Sequence, residues 1–582
     1  MSEFGIKIKN IEVASIYGMN IGIRDNLDTT PAMLTNSLFT EFLLQKCHLR
    51  LWKEESTREI ICILYNYGSP SYEEEIKRLE NKIKAVKKDD TLSKKNKEDR
   101  IKNLESYITK TEKMKDRYCK KSKEELREMS YKDGISITYH SRNKDGSIRK
   151  TETIKYRMLY RTPGKAKKGT CMFISDRIYE KAKNFLQMGM ILPDDNALIV
   201  EMGAYSSLIT SSIVGRVMIK PHEILILKDV ESFCKKNVTS VELNKKKECI
   251  AVKKENYDVM NILFDGQALI DDSIFPEWGE GFVVLRQHFF KCAAFHTNIQ
   301  LFFKDYYGRD YWKATVTDMF GNKHRVKDIK LITTDNACKW LKFKDLIDYK
   351  KWCKKLSWND FQFGIVKTGH ESKLGDVQRM SYQMVNALNL DDMPAIMEKS
   401  VKYIEKLKKD DKEFLDFMKK RANFTNDFEA MRAIIDQNPL FIESDYFRTR
   451  RSKIIQNYIL EMKNGKVLQD AENLTIVGSP YAMLLHAVGD LDIENPVDPT
   501  FQVEDGAIQC YTERFMEDEY LAEFRSPFNS RSGLGCLHNI YHVYLARYFN
   551  FGRLVVAVNC IQTDWQARNN GLTYWSSVQK CA

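Results

Sequence analysis

The sequence predicts an α+β protein in which two strand-rich blocks flank a helical one. Three observations predict it. Apolar and polar residues alternate in Ile135-Ser136-Ile137-Thr138-Tyr139 ahead of the turn Asn143-Lys144-Asp145-Gly146, the pattern of a β-hairpin. The spacing turns helical over 376–470, as in Met380, Met384, Val385 and Leu388. It returns to strands over 500–565, interrupted by one helix at about 536–548.

Taken in order, the N-terminal region 1–134 is mixed: Phe39-Thr40-Glu41-Phe42-Leu43-Leu44 reads as helix and Ile60-Ile61-Cys62-Ile63-Leu64 as a buried strand. Residues 72–128 contain no Gly and no Pro, and Ile76, Leu79, Ile83 and Val86 keep a 3-4-3 spacing that resumes at Ile101, Leu104 and Ile108. This predicts an antiparallel helical hairpin, broken at Asp89-Asp90-Thr91-Leu92, with Ser93 capping the second arm. Its acids interleave with its lysines, so its charges read as a solvated face. Residues 135–345 are β-rich, 346–470 form the helical connector, 471–571 are β-rich again, and 572–582 make an unpatterned tail.

Bulk properties narrow the class. A chain of 582 residues has room for about four domains, and 43% hydrophobic residues supply a sizeable core. Lys and Arg total 92 against 80 acids, a net charge of +12 that favours acidic partners mildly. The thirteen cysteines include no C-x-x-C pair, which argues against a zinc ribbon and a redox motif and suggests a reducing compartment. Met1-Ser2-Glu3-Phe4-Gly5 does not open a signal peptide, and no apolar run is long enough to span a bilayer. The expectation is a cytoplasmic protein with no membrane partner.

Three segments bear on chemistry. Arg157, Arg161, Lys165, Lys167 and Lys168 surround the turn Pro163-Gly164, which reads equally as a phosphate-contacting loop or a plain surface loop. It is not a Walker loop, because Thr170 stands where Lys is required. Gly364 to Arg379 is a glycine- and cation-bearing loop expected to open a helix; its backbone N–H groups can cradle phosphate, or it is a capped surface loop. His538 and His542 have zinc-ligand spacing on the expected helix, but no Glu or third ligand accompanies them, so ordinary polar positions are preferred. No G-x-S-x-G marks a serine nucleophile.

The segment Glu523-Phe524-Arg525-Ser526-Pro527 leads through Arg531 and Leu534-Gly535-Cys536-Leu537-His538-Asn539 to the apolar run Leu554-Val555-Val556-Ala557-Val558, then to Asn569-Asn570-Gly571. This order resembles the single-chain, two-barrel RNA polymerases: the cellular RNA-dependent RNA polymerases and their phage-like relatives. The resemblance implies two double-psi β-barrels joined by the helical connector. It also implies an RNA or single-stranded DNA template and nucleoside triphosphates as partners. The turn Asp265-Gly266 resembles the opening of the first barrel, and Arg286 and Lys291 match its nucleotide-facing cations, although Phe290 and Cys292 flank Lys291 where the family has Gly. By the same resemblance Arg525 and Arg531 contact nucleotide or phosphate, and Lys367, Lys373 and Arg379 join Lys165 and Lys168 as nucleic-acid contacts. Gly478-Ser479-Pro480 looks like the entry to the second barrel.

In intact relatives an alternating aspartate loop holds two magnesium ions. Here no aspartate follows Asp564. The expectation is therefore a C-terminally truncated polymerase-like chain with no catalytic residues or metal ligands of its own. Its second barrel would be left open with unpaired edge groups, Val555, Val556 and Val558 less buried than in a relative, and the tail poorly ordered. The rival expectation is a non-catalytic nucleic-acid-binding or scaffold protein of a phage or mobile element.

Overall fold

The computed structural model describes residues 5–13, 15–16, 27, 29–52, 55–65, 72–89, 93–118, 123–143, 147–160, 170–192, 196–374, 377–380, 389–422, 426–524, 534–563 and 576–580. The chain divides into two compact units, the first of Met1–Met218, Arg286–Phe290 and Lys339–Val366, the second of Ile219–Leu285, Lys291–Cys338 and Lys367–Ala582.

The first unit is built on a six-stranded sheet in the order Thr29–Leu34, Ile6–Glu12, Ser56–Leu64, Thr170–Ser175, Ile148–Tyr160, Ile135–Arg142. Ser56–Leu64 is interior to the sheet, and its run Ile60 to Ile63 is buried throughout, as a strand covered on both faces requires. One face packs Ile60 and Ile174 with Phe39 and Phe185 of the helices Leu38–Gln45 and Asp176–Leu186; the other packs Ile61, Ile63, Tyr156 and Phe173. Ser37 caps the first of these helices, its Oγ accepting from the Thr40 N–H at 3.0 Å.

Tyr72–Lys88 and Lys94–Tyr118 are helices packed on one another. The Asn96 N–H donates to Ser93 Oγ at 3.4 Å, so Ser93 caps the second arm. Ser93→Ala should lower thermal stability of this hairpin by about 1 kcal/mol, read as earlier melting of helical circular dichroism; no change would mean that the cap carries no weight.

In the second unit, residues 282–285 of the strand Phe282–Gln287, residues 291–297 of Phe290–Thr297, Gln267–Asp271, Leu331–Thr334 and Ile224–Leu227 follow one another in a mixed sheet. The Asp265-Gly266 turn feeds Gln267–Asp271 with Gly266 at φ 71°, a left-handed conformation that glycine adopts without steric cost. A further sheet closes on itself: Val467–Gly478, Val555–Val558, Ile508–Tyr511, Leu534–Asn539, Tyr520–Phe524 and Ser576–Lys580 run in order, and Ser576–Lys580 pairs back to Val467–Gly478. No pairing among the described residues closes the first of these two sheets in the same way.

One continuous core joins the two sheets of this unit, with Leu269, Phe282 and Phe295 from one and Val477, Val555 and Ala557 from the other. The fully buried Gln267 ties them: its Nε2 donates to Gly478 O at 3.0 Å and its Oε1 accepts from the Gly478 N–H at 2.9 Å. The connector helices Met393–Lys409, Asp411–Arg421, Phe428–Gln437 and Asp445–Lys463 enclose their own core of Leu407, Phe414, Phe417, Met418, Phe447 and Tyr458. Among the bonds that hold the connector to the closed sheet, the Leu468 N–H donates to Ser400 Oγ at 2.8 Å, Gln469 Nε2 donates to Ile396 O at 2.9 Å, and Lys399 Nζ donates to the Asp470 carboxylate.

Four expectations are corrected. The strands Ile135–Arg142 and Ile148–Tyr160 belong to the N-terminal sheet, because Tyr156 and Arg157 pair with Ser175 and Ile174. The sheet expected to be left open is closed: residues 576–580 of the expected aberrant tail supply a strand, and Val555, Val556 and Val558 are at most 1% exposed. The helix expected at about 536–548 is the strand Leu534–Asn539 followed by the short helix Val543–Tyr548, so His538 and His542 share no helical face. Val377–Met380, expected to open a helix, is a strand paired with Val467–Asp470; Met384, Val385 and Leu388 lie outside the described residues.

Candidate nucleic-acid interface

Of the cations singled out in the sequence, Lys373 lies in a built site. It stands in the loop after the strand Gln362–Thr368, a loop tied by Ser372, whose Oγ donates to Val377 O at 2.7 Å and accepts from the Leu374 N–H at 3.2 Å. Lys373 Nζ donates to Lys420 O at 2.6 Å, which places the lysine at the C-terminal end of the helix Asp411–Arg421. Backbone carbonyls left unpaired there carry partial negative charge, and Lys419, Lys420 and Arg421 on the same last turn offset it.

Two adjoining recesses meet at Lys373, Phe417, Lys420 and Arg421. One, of about 220 Å³, extends to His370 and Tyr403; the other, of about 490 Å³, extends to Asn426, Arg450, Asn457 and Tyr458. The Arg421 guanidinium lies over the Phe417 ring at 4.7 Å and the Tyr458 ring at 5.1 Å. Phe417 precedes Arg421 by one helical turn, so both project from one face. Tyr403 meets Tyr458 edge to face at 5.9 Å, and burial pushes the Tyr403 phenol up to about 12, so it remains an O–H donor at neutral pH.

Not all the charge is available to a ligand. Lys420 Nζ pairs with Asp416 at 2.7 Å, and Arg450 grips Asp427 with two bonds of 3.0 and 2.7 Å, which hold that carboxyl below its usual range. Lys373 forms no ion pair among the described residues. The recess thus combines a cation, a guanidinium laid on aromatic rings and the Asn457 amide, groups that suit phosphate, base plane and base edge respectively; Glu461 also lines it, and the Asn426 amide is engaged, donating to Arg421 O at 2.9 Å and accepting from the Phe428 N–H at 3.3 Å.

Of the other expected contacts, Arg286 lies on the strand Phe282–Gln287 and Lys291 on Phe290–Thr297. Lys367 is exposed near the end of Gln362–Thr368. Arg379 lies on the strand Val377–Met380, its side chain outside the described residues, as are Lys165, Lys168, Arg525 and Arg531 altogether. Lys420, Arg421 and Tyr458 are not singled out by the sequence, which marks their region only as part of the helical connector 346–470. The available signal was Lys419-Lys420-Arg421 closing a helix one turn after an aromatic.

Among the described residues no group of three or more His, Cys, Asp or Glu side chains converges that would fit the magnesium implied by the resemblance. Glu472, buried in the closed sheet, faces Arg514 Nε at 3.8 Å. Asn569, Asn570 and Gly571 lie outside the described residues.

No known protein family and no curated protein matches the chain. Among solved structures it is similar to the RNA dependent RNA polymerase QDE-1 from Thielavia terrestris, at 10% identity and a TM-score of 0.48, over all of this chain and 54% of that one. The chain spans about half the length of that polymerase. Among the described residues no helix is long and apolar enough to cross a membrane.

Proposed function

We propose that this chain is an RNA polymerase-like protein that binds single-stranded nucleic acid through the recess around Lys373. One observation carries the reading. A cation singled out in sequence as a backbone contact meets Lys420 and Arg421 over Phe417 and Tyr458, in a recess the size of a nucleotide. The order along the sequence of the Asp265-Gly266 turn, Lys291, the Gly364 to Arg379 segment and Arg525-Ser526-Pro527 supports the polymerase-like part.

Such an interface reads charge and base planes rather than sequence. It should therefore bind mixed-sequence single-stranded RNA and weaken with salt. Lys373→Ala, which removes one phosphate contact, should reduce affinity about 3- to 10-fold, and Arg421→Ala by more, because Arg421 supplies both charge and stacking plane; loss of a stacking contact costs on the order of 1–3 kcal/mol. Fluorescence anisotropy with a labelled oligonucleotide checks this. Wild-type affinity in both variants would remove the recess from the interface.

A further inference from the structure

The strands Glu231–Leu243 and Cys249–Ile262 pair only with each other, thirteen residues against fourteen, and form a two-stranded ribbon roughly 40 Å long. Only its base is buried, at Ser232, Cys234 and Asn261; outward from there the side chains are exposed or half-buried. A register shift between Lys254 and Tyr257 leaves Asn256 at φ 50°, its N–H donating to Asn237 Oδ1 at 3.0 Å, which bends and twists the ribbon midway.

The tip is built rather than loose. Asn244 Oδ1 accepts from the N–H groups of Lys246 and Glu248 at 2.9 and 3.0 Å, and its Nδ2 donates to Glu248 Oε2 at 2.9 Å. The Lys247 N–H donates to Asn244 O at 2.9 Å, with Lys247 at φ 62°, a conformation costly for a non-glycine residue. The loop thereby holds Lys245, Lys246 and Lys247 side by side at the outermost point, all exposed and none ion-paired among the described residues. Three adjacent like charges repel within the Debye length, so the arrangement is suited to an anionic partner.

We propose that this ribbon is a second nucleic-acid contact, whose lysine tip grips the phosphodiester backbone without reading sequence. The order of side chains along the ribbon favours nucleic acid over a lipid surface. Val241 and Leu243, 74% and 68% exposed, stand behind the lysines, so three charges would have to enter a bilayer before any apolar group did. A two-stranded ribbon also has the cross-section that a wide duplex groove admits.

The experiment measures binding of the full chain to a labelled single-stranded RNA and to a duplex across a salt series. It compares wild type with the combined Lys245→Ala, Lys246→Ala and Lys247→Ala variant. Loss of three phosphate contacts should make the log–log salt slope shallower by about 2 for a single strand or about 3 for a duplex, and the larger change identifies the form the tip engages. The corresponding triple arginine variant should keep the wild-type slope. An unchanged slope for the alanine variant on both probes would overturn the proposal, as would an effect confined to phosphatidylserine vesicles or to self-association. The recess variant Lys373→Ala is run alongside. If the recess reading alone fails, that variant keeps the wild-type affinity while the tip variant still flattens the slope.

Discussion

Gln267→Leu should destabilise the second unit by about 2–5 kcal/mol, seen as a lowered urea midpoint. The side chain is fully buried and exchanges two hydrogen bonds with the Gly478 backbone, which is also buried. Leucine has similar bulk but leaves the Gly478 N–H and C=O unpaired away from water, at about 1–3 kcal/mol each. Gln267→Glu separates bonding from packing. Ionised, it still accepts from the Gly478 N–H but cannot donate to Gly478 O; protonated, it can do both. Its stability deficit should therefore be present at neutral pH and shrink in acid. A loss below about 1 kcal/mol for the leucine variant would show that the two sheets of this unit are held by their shared apolar core alone.

His288 should make the first unit acid-sensitive. It is 1% exposed and meets the Phe185 ring edge to face at 4.3 Å. Burial lowers its pKa from 6.5 to about 3, and Lys355 lowers it further while the Phe185 backbone opposes the shift. Between those values the unfolded chain binds a proton that the folded chain refuses, so stability rises with pH. The contribution is fully present above about pH 6.5 and is lost progressively as pH falls toward 3, about 2 kcal/mol of it by pH 5 and up to about 5 in all. His288→Phe should flatten that part of the profile. Equal acid sensitivity in wild type and variant would mean that other groups govern it.

Elements set by local pattern were legible in the sequence. Ile60 to Leu64 is a buried strand, the 3-4-3 spacing from Ile76 does form one arm of a helix pair, and the turn at Asn143 joins two antiparallel strands. Partner choice was not legible, because strand pairing is non-local. Nothing in Ile135–Arg142 says which sheet it joins, and nothing in Ser576–Lys580 announces the strand that closes a barrel between Val467–Gly478 and Tyr520–Phe524. At 534–539 the pattern misled: Leu537 and Asn539 are buried at strand spacing, while the His538–His542 interval suggested a helix. His542 instead caps the following helix, accepting from the Tyr544 N–H at 3.3 Å. Lys373 was legible as a cation in a glycine-bearing loop. The groups that make it part of a site come from elsewhere in the chain, Arg421 some fifty residues on and Tyr458 later still.

Photocrosslinking reads directly which residues touch nucleic acid. A single-stranded RNA carrying a photoreactive base, crosslinked to the full chain and mapped by peptide mass spectrometry, should mark the stretches around Lys373, Lys420 to Asn426 and Arg450 to Glu461 that line the larger recess. Crosslinks confined to other parts of the chain, with these peptides recovered unmodified, would contradict it.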